Sequence, residues 1–164
     1  VAPGAAGLVV SQSSTVAVLD AVGASIEAVV DGLTRSPQLL DPRTAPATRL
    51  RKAYSLLPAT TNTRKYRDGR GADFNARMRL SMELTVRCVW LLHPKDQTAT
   101  QTQALDDIDA MVHAVLTDTR EPLPSCRTLF LRSPAAALPP SREWLFHDVV
   151  FGVEFNRSLL AADN

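Results

Sequence analysis

The marks of most familiar chemistries are missing from this chain of 164 residues. Its two cysteines, Cys88 and Cys126, stand in no CxxC or Cys/His spacing, which argues against a zinc site and a disulfide framework. Both fall in strand-like runs, where a small buried thiol is the ordinary reading. No Walker loop, GxGxxG, GxSxG or HExxH occurs. His93, His113 and His147 are scattered, and each reads as a packing or surface residue. No apolar run approaches the ~20 residues that a membrane helix needs. The start, VAPGAAGLVV, is apolar but has no basic region before it, so it does not read as a signal peptide. Residues 1–12 read instead as a flexible arm left after loss of the initiator Met, on a soluble protein made inside the cell. Neither charge sign dominates. A formal net charge of +1 excludes a uniformly basic nucleic-acid binder, so any such contact must be local.

What is present is ordinary for one globular domain: 45% hydrophobic and 21% charged residues. From Ser13 to Leu33 the residues Val16, Leu19, Val22, Ile26, Val29, Val30 and Leu33 recur at helical spacing. Ser13, Ser14 or Thr15 can cap the start, and Ser36-Pro37 closes the end. Residues 37–48 carry three prolines and read as a surface connection. A short strand is expected over Arg51–Leu57, stopped by Pro58, with a long basic loop following from Ala59 to Asp73. Met78, Leu80, Met82, Leu84, Val86, Cys88 and Trp90 then alternate with polar residues, which predicts a strand far longer than the usual ~5–6 residues. A second helix is expected over Thr98–Leu116, buried through Leu105, Ile108, Met111, Val112, Val115 and Leu116. Strands over Ser125–Arg132 and Trp144–Phe155 flank a Pro-rich link, Ser133–Ser141. The last strand is apolar on both faces, as a strand central in its sheet or covered by another subunit would be. The expected fold is a single α+β domain over residues 13–164. It has a mostly antiparallel sheet of about four strands, two helices packed on one face, and the order α-β-β-α-β-β.

Two clusters of charge stand out. In TRKYRDGRGADF, the cations Arg64, Lys65, Arg67 and Arg70 crowd round a lone Asp68. On the expected loop this stretch has four open readings: a solvated tip, a segment that orders on assembly, a phosphate contact to nucleic acid helped by Tyr66, or a phosphate-handling catalytic loop. The opposite cluster, LDDIDA, places Asp106, Asp107 and Asp109 on the second helix. They span an arc and do not converge as cation ligands would, so they read as a solvated face or a charged subunit contact. Two complementary patches suit a head-to-tail, ring-forming interface, which nominates all seven residues for assembly. No residue is nominated as catalytic, cofactor-binding or metal-binding, and the sequence reads as that of a non-enzyme.

The series as a whole resembles the tail terminator proteins of tailed bacteriophages and related phage-like particles. The resemblance rests on the first amphipathic helix, the basic Gly-containing stretch before ARMRLSMELTVRCVWLL, the helix QALDDIDAMVHAVL and the ending WLFHDVVFGVEFNRSL. It implies a homohexameric ring, assembled in the host cytoplasm and located in the virion at the head–tail junction. Such a ring closes the tail tube and meets the tube protein below and the head connector or stopper above. DNA passes through its lumen, and no membrane or cofactor is involved. A stopper or adaptor ring of the neck is the nearest alternative by role. A nucleic-acid-binding module using residues 64–70 is the alternative from another class.

Overall fold

A computed structural model describes residues 14–44, 51–68, 75–120, 122–132 and 143–158. Two helices, α1 (Thr15–Val29) and α2 (Gln97–Thr117), pack on one face of a five-stranded sheet. The strands are β1 (Thr34–Arg35), β2 (Lys52–Asp68), β3 (Asn75–Leu91), β4 (Arg127–Arg132) and β5 (Trp144–Ser158), in the spatial order β1-β2-β3-β5-β4. The α+β class and the two helices match the sequence reading. The sheet differs from it, because the short β1 runs parallel to β2 and makes the sheet mixed, with five strands.

The alternation in β3 sets the layers. Leu80, Met82, Leu84, Val86, Cys88 and Trp90 meet Leu145, Val149, Phe151, Val153 and Phe155 of β5 in one buried cluster with both helices. The opposite sheet face holds a smaller cluster of Ala53, Val89, Trp144 and Phe146 beneath Leu40. There Arg87 forks onto its cross-strand neighbour Asp148 (2.7 and 2.8 Å) and donates to the Leu40 carbonyl, fastening the 36–44 segment to the sheet. β5 is therefore an interior strand, buried on its helix-facing side and, on the other face, at Trp144 and Phe146, in keeping with its two-sided apolar pattern.

Pro58 does not end β2, contrary to the sequence expectation. The Leu91 amide donates to the Arg51 carbonyl, so odd-numbered β2 residues before the bulge face β3 and even-numbered ones face the sheet edge. Ser36 accordingly donates to the Tyr54 carbonyl from the β1 side. Pro58 thus turns its missing N–H toward the edge, where no ladder bond is lost. Pairing continues through a bulge between Thr60 and Asn62 until Asp68 stands opposite Asn75. The expected long loop is mostly strand.

The expected stripes are buried at Val22, Ile26, Val30 and Leu33 and at Ile108, Met111 and Val115, and differ at their margins. Ser14 caps α1, its hydroxyl accepting from the Ala17 amide at 3.1 Å, and Val18, Val22 and Ile26 are buried. Val16 is 65% exposed, and Val29 also lies outside the core. The helix stops at Val29, before a turn with Gly32 at φ 72°, and not at Ser36-Pro37. Gly23 lets α1 approach β2 closely, since a Cβ there would lie 2.9 Å from the Tyr54 hydroxyl. On α2, Ala104, Ile108, Met111 and Val115 face the core, whereas Leu105 and Leu116 are exposed. The N-terminal arm (residues 1–12) and the Ser133–Ser141 link lie outside the described residues.

Among the described residues two buried side-chain atoms have no hydrogen-bond partner, Asn156 Oδ1 and His147 Nε2. His147 is 4% exposed, lies edge-on to Trp90 with ring centroids 5.7 Å apart, and its Nε2 has no hydrogen-bond partner. Burial pushes the imidazole below its ordinary pKa, against a smaller opposing pull from the Asp148 carboxylate. The neutral ring is the form that folds, whereas an unfolded histidine takes up a proton near pH ~6.5. Stability from this site is therefore complete above about pH 6.5 and is lost as pH falls through the lower folded pKa. Thermal melts of the wild type and His147→Phe at pH 8 and pH 5 check this. The variant should lose less stability than the wild type over that interval, and equal losses would contradict the assignment.

Candidate interaction surfaces

The far end of the sheet gathers cations by register. Arg64 stands opposite Arg79, which stands opposite Asn156. In the next rows Lys65 is opposite Met78 and Met78 opposite Arg157, Tyr66 is opposite Arg77, and Arg67 is opposite Ala76. Arg64, Lys65 and Arg67 therefore lie on β2 and not on a loop, while Arg70 lies outside the described residues. Across residues 59–81 the chain has six cations (Arg64, Lys65, Arg67, Arg70, Arg77, Arg79) and two acids (Asp68, Asp73), so the remainder carries a net negative charge. The sequence reading missed Arg77, Arg79 and Arg157. Arg77 and Arg79 stood among the polar positions of the alternating strand and Arg157 lay beyond the expected end of the last one; the pairing puts Arg79 beside Arg64 and Arg157 in the next row, which faces the other side of the sheet.

The acidic cluster divides in two. Asp106 and Asp109 are exposed on α2 beside Leu105, as a surface patch requires. Asp107 is 7% exposed, which removes it from any solvated face. Its Oδ2 accepts from the Trp90 indole N–H (2.9 Å) and the Lys52 ammonium (3.2 Å), and its Oδ1 from the Gln103 amide (2.9 Å). One carboxylate thus ties α2 to β2 and β3. The signal was in the spacing: Asp107 follows Ala104 by three residues and precedes Met111 by four, so it shares the buried stripe.

The two charged patches lie at opposite ends of the sheet. Asp107 fixes the acidic segment of α2 over Trp90, and Trp90 is eleven residues along β3 from Arg79. At ~3.3 Å per residue that is about 36 Å. Within one copy the structure does not bring the patches together.

Near Trp90, an open cleft of about 640 Å³ lies between the first residues of β2 and of α2. Trp90, Leu92 and Pro94 wall it, with Arg51, His93 and Gln103 at its polar side. The Nδ1 of His93 accepts from the Asp96 and Lys95 amides, so this nitrogen is committed to shaping the turn before α2. The buried thiol of Cys88 has its pKa pushed up by burial, which disfavours the nucleophilic thiolate. Among the described residues no group of three or more His, Cys, Asp or Glu is placed to hold a metal ion, and no helix is long and apolar enough to cross a membrane.

Asp107→Ala would leave the Trp90 N–H and the Lys52 ammonium facing a void. Breaking a buried pair costs about 3–5 kcal/mol, and the partial exposure of Lys52 places this one near the lower end. Asp106→Ala and Asp109→Ala should change stability by no more than about 0.5 kcal/mol. Urea denaturation of the three variants measures the difference, and similar values for all three would contradict the separation. Neither a protein-family model nor a curated protein matches the chain.

Proposed function

We propose that this chain is a structural ring subunit of the tail-terminator kind, closing the tail tube of a phage or phage-like particle at its head-proximal end. The observation that carries the reading is the placing of opposite charges at opposite ends of one sheet. A basic end and an acidic end on the same subunit cannot satisfy each other, but they can meet between neighbours related by rotation. Such heterologous contacts close into rings when the rotation permits. The exposed Asp106 and Asp109 supply one side of that contact, and the β2–β3 end with Arg64, Lys65 and Arg67 supplies the other. Asp107 is withdrawn from the interface set, because its carboxylate is spent inside the subunit.

The ring is proposed as a hexamer on the strength of the sequence resemblance. Its partners would be the tube protein, the head connector or stopper, and DNA passing through the lumen. The work is positional and not catalytic. Its place is the head–tail junction of the virion, after assembly in the host cytoplasm.

Immuno-electron microscopy with antibody to this protein, on particles from a producing culture, tests the proposal. Label should be confined to the head–tail joint. Label along the whole tube, or absence from particles while the lysate stays positive, would overturn it.

A further inference from the structure

The cleft of about 640 Å³ at the end of β3 falls within the ~300–1,000 Å³ that small-molecule sites occupy. None of its residues belongs to the charged contact between copies. Leu91, Leu92, Pro94 and Ala99 give it apolar walls, with Trp90 among them. Leu91 is 42% exposed, a large apolar side chain left open where the strand stops. The Trp90 indole N–H is taken by Asp107, so the ring meets the cleft only as an apolar surface.

The polar side of the cleft is rich in donors, as the bonds of each group show. His93 Nδ1 accepts the Lys95 and Asp96 amides (3.3 and 3.1 Å), which uses its lone pair and leaves the ring proton on Nε2. Thr100 Oγ1 accepts from the His93 amide at 3.0 Å, and its hydroxyl hydrogen remains to donate. On the accepting side, Asp96 Oδ1 already receives the Ala99 amide at 3.0 Å. Gln103 directs its amide N–H to Asp107 and keeps Oε1 as an acceptor.

Charge in the cleft is also unbalanced. Of its charged residues, Arg51 and Lys52 are cations and Asp96 an anion. Asp107 offsets Lys52 at 3.2 Å, and Asp96 caps α2, whose N-terminal amides offset it in turn. Arg51 is exposed, and its guanidinium has no ion pair or hydrogen bond among the described residues. It is the uncompensated charge beside an apolar wall. A planar carboxylate matches such a guanidinium, which can give it two parallel N–H bonds. A neutral ligand would leave Arg51 without a partner, and a cation would be repelled.

We infer that this cleft binds a small organic carboxylate, its apolar body against Leu91, Leu92, Pro94 and Ala99 and its charged head on Arg51. His93 Nε2–H and the Thr100 hydroxyl are the further donors to that head. The site does not depend on the ring. A chain that never joins a particle would keep this inference and lose the other.

The test is a titration of the isotope-labelled full chain with cinnamate, followed by NMR. Saturating shifts should gather at the amides of Leu92, His93, Ala99 and Thr100 and at the Trp90 indole N–H, with a Kd of about 1 mM or tighter. Cinnamamide, nearly the same shape without the charge, should bind about tenfold more weakly, the effect of one charge-assisted hydrogen bond. Arg51→Gln should weaken cinnamate by about the same factor and leave cinnamamide unchanged. Ala99→Trp, on the exposed first turn of α2, should fill the cleft and abolish the binding of both, a check that does not depend on Arg51. Shifts that stay linear to about 10 mM, or that scatter over the surface, overturn the inference. Equal binding of cinnamate and cinnamamide does so too. Shifts of the same amides on dilution of the protein alone, without a response to cinnamate, would assign the cleft to a second copy and overturn it equally.

Discussion

The backbone ladder between β2 and β3 is the constraint on which the rest of this structure depends. It runs from Lys52 opposite Trp90 to Asp68 opposite Asn75, interrupted by one bulge. Its inner half lies under the helices, where Tyr54, Leu56, Val86 and Cys88 are buried. Its outer half extends the same register into the basic end. Because one ladder spans both, the position of the cations is set by the register that buries Leu80 and Phe155 in the row next to Arg64 and Arg79. A register slip of one residue would move the β3 alternation to the wrong face and expose Leu84 and Val86. The hydrophobic core thus holds the charged surface in place.

Asp107 performs the matching task for the helix layer. A buried carboxylate is costly unless its lone pairs are used, and this one receives an indole N–H, an ammonium and an amide N–H. The result is specific in a way apolar contacts are not, because it fixes both where α2 lies along β3 and which way it is turned. Beyond Trp90 lies His147, which contributes its ring to packing but leaves Nε2 unbonded. At the C-terminal end of α2, Asp118 accepts from the Ser25 hydroxyl of α1 and from the Arg120 guanidinium. The Arg120 fork, with Ser25 helping, holds the Asp118 carboxyl well below the usual carboxylate range. Polar bonds therefore anchor α2 at its middle and at its C-terminal end, while Ala104, Ile108, Met111 and Val115 fill the core along the same face.

Where one signal acted alone, the sequence was legible. The β3 alternation and the α2 span follow from periodicity and are present in the structure, and an interior β5 is one of the two positions its two-sided apolar pattern allowed. Pro58 misled because a proline's cost depends on which side of the strand its nitrogen faces, and that is known only from the pairing. β1 is two residues long and carries no periodicity to read. On α1, Val16 and Val29 share the hydrophobic character of Val18, and only the contact with β2 selects the phase. Asp107 was misassigned by residue type, although its spacing pointed inward. The candidate surface was half legible: Arg64, Lys65 and Arg67 were apparent as a cluster, but Arg77, Arg79 and Arg157 join it only through strand pairing.

The central claim is that the basic stretch is strand and not loop, and amide hydrogen exchange followed by NMR tests it most directly. Beyond the bulge, the register turns the amides of Asn62, Arg64 and Tyr66 toward β3 and those of Thr63, Lys65 and Arg67 toward the open edge. The account predicts slow exchange at the first three and fast exchange at the second three, alternating along the chain. Uniformly fast exchange from Ala59 to Asp68 would contradict it, and would return the cations to a loop that the core does not position.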